Sequence, residues 1–190
     1  MMSEMDGKLR ETLRRCLASR EMVEIYADPE DLVEFNVGMV ESVGHNSYCI
    51  QSIDPYGQFD GRQIGRIDEI VRLVTGSEYL AAIRLLHDGR DALVNHPMPS
   101  TEPYGEMDFE NSLRFAQENR LLVSLIDRDR EAIMGFVTDY GREFVEIREV
   151  RRDGHEDGTF ILALDDVSRV DVGGRNERAR QFLHRVRMGL

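Results

Sequence analysis

The sequence contains an internal repeat, because residues 38–87 align with residues 135–184 without a gap at an offset of 97. Identical residues stand at equivalent positions throughout: Gly38/Gly135, Val40/Val137, Gly44/Gly141, Ile50/Ile147, Gly57/Gly154, Asp60/Asp157, Gly61/Gly158, Ile64/Ile161, Asp68/Asp165, Arg72/Arg169, Gly76/Gly173, Ala82/Ala179, Leu86/Leu183 and His87/His184. Upstream the offset becomes 100, where Val23 meets Val123. A repeat of this length predicts a tandem duplication of one folding unit.

Composition limits the functions open to the chain. Two small units fit its 190 residues better than one large unit. The formal net charge of -12, from 24 basic and 36 acidic residues, predicts a surface that phosphate backbones and anionic lipids repel. Nucleic acid is therefore disfavoured as a partner, and no membrane contact is predicted.

The cysteines and the N-terminal residues predict a cytoplasmic protein. Cys16 and Cys49 occupy non-equivalent positions in the two copies, so neither a disulfide framework nor a duplicated metal site is indicated. The sequence has no apolar run long enough to cross a membrane. Charged residues occupy the N-terminus where a signal peptide would need an apolar segment.

We predict a first domain over residues 8–87, a proline-containing linker over residues 88–111 and a second domain over residues 112–187. Pro97, Pro99 and Pro103 lie in the linker and limit its helical content.

Each copy is predicted to begin with a helix that Thr12 or Ser112 caps. Alternating apolar residues predict a half-buried first strand near residues 23–25 and 123–125. Strand two is predicted over residues 33–43 and 133–140, with a bend or bulge at its interior glycine, Gly38 or Gly135. Strand three is predicted over residues 48–53 and 144–150.

The second half of each copy carries turn signals. The loops 54–61 and 151–158 share the spacing Gly-x-x-Asp-Gly, and their Asp-Gly pairs predict a turn with positive φ. Two short strands are then predicted around an acidic corner, Asp68-Glu69 or Asp165-Asp166. A closing helix follows over residues 77–87 and 175–187.

A helix, five bent strands and a mid-strand glycine resemble the Sm-like branch of small SH3-type barrels, which includes the bacterial Hfq proteins. Gly38 and Gly135 stand where that family's first motif has its bending glycine, and residues 67–70 and 164–167 stand where its second motif turns. The resemblance implies a mainly β, α+β fold of two tandem five-stranded barrels, each with an N-terminal and a C-terminal helix.

Family members that bind RNA have a corner similar to Ile-Arg-Gly, or another basic or aromatic contact, between strands four and five. Here both corners are acidic, and the turns at residues 44–46 and 141–143 lack the family's polar motif that holds a base. The family's RNA-binding residues are therefore not carried over to this chain.

Four duplicated positions are candidate ligand or partner sites. Asp60-Gly61 and Asp157-Gly158 could shape a pocket or hold a cation, but no second acidic ligand recurs beside them, so a structural turn is the favoured interpretation and no metal site is predicted. Asp68 with Arg72, and Asp165 with Arg169, could form a functional polar pair. The favoured alternative is an aspartate that caps the corner and an arginine on a solvated strand face.

The sequence indicates no catalytic residues and no cofactor. His87 and His184 end the closing helices, where we expect them to complement the helix dipole. Nucleophile-elbow, Walker-type and Cys-x-x-Cys motifs are absent from the sequence.

One basic segment departs from the acidic average. Residues 175–190 carry a single glutamate, Glu177, and five arginines: Arg175, Arg178, Arg180, Arg185 and Arg187. This helix could bind phosphate or an acidic partner, whereas the favoured interpretation is that its arginines meet the protein's own acidic strands.

These observations predict a non-enzymatic protein-interaction or regulatory module that binds a protein partner or self-associates. The alternative is an RNA-binding regulator that uses the arginine-rich helix, and a third prediction is a small-ligand sensor.

Overall fold

The computed structural model describes residues 4–94, 98–129 and 131–190. Pro97 of the predicted linker and Arg130, at the end of the charged turn 127–130, lie outside the described residues. The chain divides into two compact units, Met1–Arg90 and Asp91–Leu190. None of the described helices is long and apolar enough to cross a membrane.

The elements of the two units follow the same order. Unit 1 contains α1 (Glu4–Ser19), β1 (Met22–Tyr26), β2 (Asn36–Val43), β3 (Ser47–Ile53), β4 (Phe59–Arg66), a 3₁₀ turn (Ile67–Glu69), β5 (Arg72–Thr75) and α2 (Glu78–Asp88). A short helix, α3 (Arg90–Val94), spans the division, and a 3₁₀ turn (Glu102–Tyr104) follows it. Unit 2 continues with α4 (Phe109–Glu118), β6 (Leu122–Asp127), β7 (Ala132–Tyr140), β8 (Phe144–Val150), β9 (Glu156–Ala163), a 3₁₀ turn (Leu164–Asp166), β10 (Val167–Val172) and α5 (Arg175–Met188).

Each unit has a five-stranded antiparallel sheet, in the order β4-β3-β2-β1-β5 in unit 1 and β10-β6-β7-β8-β9 in unit 2. Written from its other end, the second order is β9-β8-β7-β6-β10, which matches the first order strand by strand. Equivalent strands therefore have equivalent neighbours. The α+β class and the duplicated layout that the sequence predicted are therefore confirmed.

The predicted Sm-like or SH3-like barrels are wrong. Among the described residues, the sheets end at β4 and β5 in unit 1 and at β9 and β10 in unit 2, and no pairing joins the two ends of either sheet. The resemblance depended on element order and on a mid-strand glycine, and an open sheet accommodates both. The element order was predicted correctly, while the closure inferred from it was not.

Gly38 and Gly135 serve a different purpose from the predicted bend. The register shifts of β2 and β7 fall later, between Val40 and Ser42 and between Val137 and Asp139. A side chain at Gly38 would meet the carbonyl of Gln51 on β3, and one at Gly135 would meet the carbonyl of Arg148 on β8. Close approach of the backbones, and not a bulge at the glycine, therefore requires glycine here.

Helices cover both faces of the first strand. In unit 1, Leu13 and Cys16 of α1 pack with Val23 and Ile25 of β1, while α2 contacts the opposite face of β1. All five residues of β1 are buried, so the prediction of a half-buried strand is wrong for unit 1. The first four residues of β6 are likewise buried in unit 2, where α5 covers the strand.

The predicted helix caps at Thr12 and Ser112 are also wrong. Helix α1 begins at Glu4, so Thr12 lies within the helix. Helix α4 begins after Asp108, whose side chain accepts a hydrogen bond from the backbone N–H of Asn111 at 2.7 Å. The carboxylate of Asp108, one turn before Ser112, is therefore the cap of α4 in place of the Ser112 hydroxyl.

Candidate functional site: the outer strands β4 and β9

Strands β4 and β9 form one edge of their sheets. Within the part of the chain that the structure describes, each pairs with a single neighbour, β3 or β8. An edge strand leaves a row of backbone donors and acceptors available to another chain. Most side chains of both strands are exposed to solvent. The opposite edge is less accessible in unit 1, because β5 has only four residues, three of them partly buried.

The two edge strands have the same register. Cys49 is opposite Ile64 in unit 1, and Glu146 is opposite Ile161 in unit 2, at positions that the repeat makes equivalent. The pairing is regular over Arg62–Arg66 and over Thr159–Ala163, ranges that start after a register shift in each strand. Both units therefore present a regular five-residue segment at the edge.

The predicted Asp-Gly turns lie inside these strands. Asp60-Gly61 and Asp157-Gly158 sit at the irregular start of β4 and β9, where Gly61 has a φ of +83° and Gly158 a φ of +59°. Positive φ was predicted correctly, but the residues form a bulge instead of the turn. The reversal itself comes earlier, at Gly57 and Gly154.

An isoleucine projects from each edge strand into solvent. Ile64 is 70 % exposed and Ile161 is 69 % exposed. Their neighbours have diverged, since Gln63 in β4 corresponds to Phe160 in β9. Covering an isoleucine gains about 1.5–3 kcal/mol, so each unit presents the same apolar contact point.

The two edges differ in charge. β4 contains Arg62 and Arg66 around Ile64 as well as Asp60, whereas β9 begins with Glu156 and Asp157 and has no basic residue. The Arg62 guanidinium donates to Glu41 at 2.6 and 2.9 Å, and these hydrogen bonds hold the pKa of Glu41 below its usual value. Arg66 pairs with Asp68 at 2.6 Å and likewise lowers the pKa of Asp68.

Hydrogen-bond donor and acceptor have exchanged places beside these edges. In unit 1 the Cys49 thiol donates to the Glu41 carboxylate at 3.5 Å. In unit 2 the equivalent of Glu41 is Thr138, whose hydroxyl donates to Glu146, the equivalent of Cys49, at 2.7 Å. Burial first, and then the contact with Glu41, raises the pKa of Cys49, which disfavours a thiolate nucleophile.

The predicted pairs Asp68–Arg72 and Asp165–Arg169 do not form. Asp68 pairs with Arg66 instead, and the Arg72 guanidinium lies over the Tyr26 ring, 5.0 Å from its centroid. Arg169 pairs with Asp171 at 3.0 Å. The backbone carbonyl of Asp165 accepts a hydrogen bond from Arg128. The exposed Arg72 and Arg169 agree with the favoured alternative. The predicted aspartate cap is wrong, because neither corner turn has a side-chain cap hydrogen bond.

His87 and His184 have a role that the sequence analysis missed. They are only 7 % and 5 % exposed. Nδ1 of His87 lies 2.8 Å from the carbonyl oxygen of Gly57, and Nδ1 of His184 lies 3.2 Å from that of Gly154. Because a carbonyl only accepts, Nδ1 donates in both units. The sequence signal for this contact was that both the histidine and the glycine recur at equivalent positions of the two copies.

A buried carboxylate in each unit was also missed. Glu24, 5 % exposed, accepts hydrogen bonds from the hydroxyls of Ser77 and Tyr26, the latter at 3.0 Å. In unit 2 the buried Glu177 accepts from Ser124. Burial, followed by the hydrogen bond to Glu24, raises the pKa of Tyr26. The sequence signal for this contact was Glu24, a charged residue within an apolar strand, which aligns with Ser124 in the other copy.

Two arginines of the arginine-rich helix α5 donate hydrogen bonds within their own unit. Arg180 donates to the Val150 carbonyl at 3.2 Å, and Arg187 donates to the Asp153 carbonyl at 3.4 Å. Burial lowers the pKa of Arg180. Arg178 is half-buried, whereas Arg175 and Arg185 are exposed. Arg180 and Arg187 thus donate to backbone carbonyls of their own unit, and the predicted contact of the arginines with the acidic strands stays a prediction.

No group of three or more histidine, cysteine or acidic side chains in the described part of the chain could hold a metal ion. Comparisons with protein-family models, curated proteins and solved structures found no match for the chain.

Proposed function

We propose that the chain is a non-enzymatic interaction module that binds an extended segment of a protein partner along β4 or β9. The observation that carries this proposal is the exposed isoleucine at the same position of both edge strands, Ile64 and Ile161. Backbone groups of the edge would supply affinity, and the isoleucine would supply a side-chain contact, as in other cases of strand addition.

The polar side chains favour binding over catalysis. The buried carboxylates Glu24 and Glu177 accept hydrogen bonds from hydroxyls of their own unit. The His87 and His184 rings each contact the carbonyl of a turn glycine. These groups stabilise the junction between a closing helix and the sheet, and none of them is exposed enough to meet a substrate.

The test is a selection of displayed random octapeptides on the immobilised wild-type chain, followed by measurement of their affinity for the I64K/I161K double variant. We expect the selected peptides to alternate apolar and polar residues and to lose at least about tenfold in affinity for the double variant. V33K is the matched control, because Val33 is 83 % exposed and lies outside the strands. Peptides that bind the double variant as tightly as the wild type would overturn the proposal.

RNA binding through α5 remains the second candidate. The exposed Arg175 and Arg185 favour it, while the net charge of -12 and the backbone contacts of Arg180 and Arg187 weigh against it. The small-ligand sensor stays a prediction, and a rise in melting temperature with added ligand would test it.

A further inference from the structure

We propose that helix α2 of one copy of this chain packs antiparallel against helix α5 of a second copy, which gives a head-to-tail assembly. The two closing helices present equivalent faces to solvent, and these faces carry opposite charges. This charge complementarity carries the inference. The contact uses neither edge strand, so it goes beyond the proposed function.

The outer face of α2 is acidic at both ends. Residues at the spacing i, i+3, i+7 and i+10 lie on one face of a helix, and in α2 they are Glu78, Ala81, Leu85 and Asp88. Glu78, Ala81 and Asp88 are exposed, and Leu85 is half-buried. The buried residues of the helix lie on the other side, where α2 contacts β1.

The equivalent face of α5 is basic. At the offset of 97, its residues are Arg175, Arg178, Phe182 and Arg185. Arg175 and Arg185 are exposed, while Arg178 and Phe182 are half-buried. Arginines therefore replace both acidic residues of α2, whereas the third position of the face stays apolar.

Antiparallel packing of the two faces brings opposite charges together at both ends. It places Glu78 opposite Arg185, and Asp88 opposite Arg175. Helices pack with their axes about 8–10 Å apart, a distance that these side chains span. The macrodipoles of the two helices also run in opposite directions, which favours this orientation over the parallel one.

The centre of the contact combines a small residue with a large one. Ala81 lies opposite Phe182, so the phenylalanine ring has room above the alanine. Leu85 lies opposite Arg178, whose aliphatic stem covers apolar surface while its guanidinium stays in water. Apolar contact therefore separates the two charged ends.

The remaining charges of the two helices do not oppose this contact. Arg84, beside the outer face of α2, donates to Asp88 at 3.2 Å and to the Arg20 carbonyl at 3.3 Å. The flank of α5 that it meets carries the uncharged Gln181. Asp88 keeps Arg84 as it binds a second guanidinium, because a carboxylate accepts several hydrogen bonds. The other charged residues of α5 have contacts within their own unit: Glu177, Arg180 and Arg187.

Pairing of like helices is disfavoured. Two α2 helices in this arrangement would place Glu78 opposite Asp88 at both ends, and two α5 helices would place Arg175 opposite Arg185. Only the unlike pairing joins opposite charges. Because each chain offers one α2 and one α5, such contacts close into a ring or continue as a filament.

The test measures the mass of the full chain by analytical ultracentrifugation up to about 500 μM, since one helix pair buries less area than a tight dimer needs. We expect the wild type to associate at about 50 mM salt and to associate less at about 500 mM. E78R/D88R gives two basic helices and R175E/R185E gives two acidic ones, so each variant should raise the dissociation constant at least about tenfold. Their equimolar mixture should associate again, because each variant supplies the charge that the other lacks.

Matched controls separate this contact from the effect of net charge. E30R/E34R and R14E/R15E make the same changes in charge at exposed residues outside the closing helices, and both should associate like the wild type. Circular dichroism identical to the wild type establishes that every variant is folded.

Three results would overturn the inference: a wild type that is monomeric throughout, a charge variant that associates by itself as tightly as the wild type, or a mixture that stays monomeric. Single substitutions test the orientation. Association lost in E78R should return in E78R/R185E, whose new charges lie opposite each other. Its return in E78R/R175E instead, or in neither variant, would overturn the antiparallel arrangement.

Discussion

Nδ1 of His87 lies 2.8 Å from the carbonyl oxygen of Gly57, and the same contact recurs between His184 and Gly154 at 3.2 Å. The contact joins the C-terminal half of the closing helix to the loop that leads into the edge strand. Each histidine ring also contacts a phenylalanine ring. The ring centroids of His87 and Phe59 lie 4.8 Å apart in unit 1, and those of His184 and Phe136 lie 5.2 Å apart in unit 2. The closing helix therefore fixes the position where the candidate edge begins.

Gly57→Ala should destabilise unit 1 much more than Gly61→Ala. Both glycines have positive φ, +79° and +83°, so both substitutions carry a similar backbone strain of about 1 kcal/mol. A methyl group at Gly57 would also collide with the backbone of Leu86 and His87, whereas Gly61 has open space. We expect an additional loss of about 2 kcal/mol or more at Gly57 in denaturant unfolding.

Equal losses for the two variants would show that the loop moves away from the helix at little cost. H87A extends the test, because it leaves the Gly57 carbonyl in a buried site without its partner. We expect it to cost about 1–3 kcal/mol, with H45A, at an exposed histidine, as the control.

Ser77→Ala should cost more stability than Ser124→Ala. The Ser77 hydroxyl donates to Glu24 and also accepts from the Leu80 backbone N–H at 3.1 Å, so it caps α2. Ser124 donates to Glu177. We expect about 2–4 kcal/mol for S77A and about 1–2 kcal/mol for S124A by denaturant unfolding.

S77G provides the matched control for the cap, since glycine is nearly as good as serine at that position. Its loss should be smaller than that of S77A and measures the buried contact with Glu24, while the difference between S77A and S77G measures the cap. A loss for S124A that exceeds the loss for S77A would contradict the assignment of two roles to Ser77.

The Cys49 thiol should react slowly with maleimide at neutral pH. Its pKa is raised by burial and by the contact with Glu41, so less thiolate is present at a given pH. E41Q removes the negative charge, lowers the pKa of the thiol towards its ordinary value and should shift the rate–pH profile to lower pH. Cys16, fully buried, should react only on unfolding, which makes C49S the control for site specificity. An unchanged profile in E41Q would contradict the role given to Glu41.

The order of elements was predictable from sequence because turn glycines and alternating apolar residues recur at fixed positions in both copies. The closing helix and the corner at Asp68-Glu69 were predicted correctly for this reason. Barrel closure was not predictable, since it depends on pairing between strands distant in sequence. Gly38 illustrates the difficulty, because a glycine required by a close backbone contact looks the same in sequence as one required by a bend.

The edge site was only partly predictable. Asp60-Gly61 marked the segment where the edge strand begins, whereas the exposed Ile64 was indistinguishable from a core residue, because strand patterns do not reveal which strand lies at an edge. The buried contacts of Glu24 and His87 join residues 53 and 30 positions apart, beyond the range of a local pattern.

Labelled single-stranded RNA should not bind the chain at about 50 mM salt, where contacts to phosphate are strongest, and fluorescence polarisation measures this directly. Two arginines of α5, Arg180 and Arg187, donate to carbonyls of their own unit, and the net charge is -12. Binding that disappears at about 200 mM salt and in R178E/R185E would instead assign RNA to α5 and contradict the expected result. Binding that survives R178E/R185E would place an RNA contact elsewhere on the chain. R14E/R15E is the control, because it makes the same change in charge at two exposed arginines of α1 and leaves α5 unchanged.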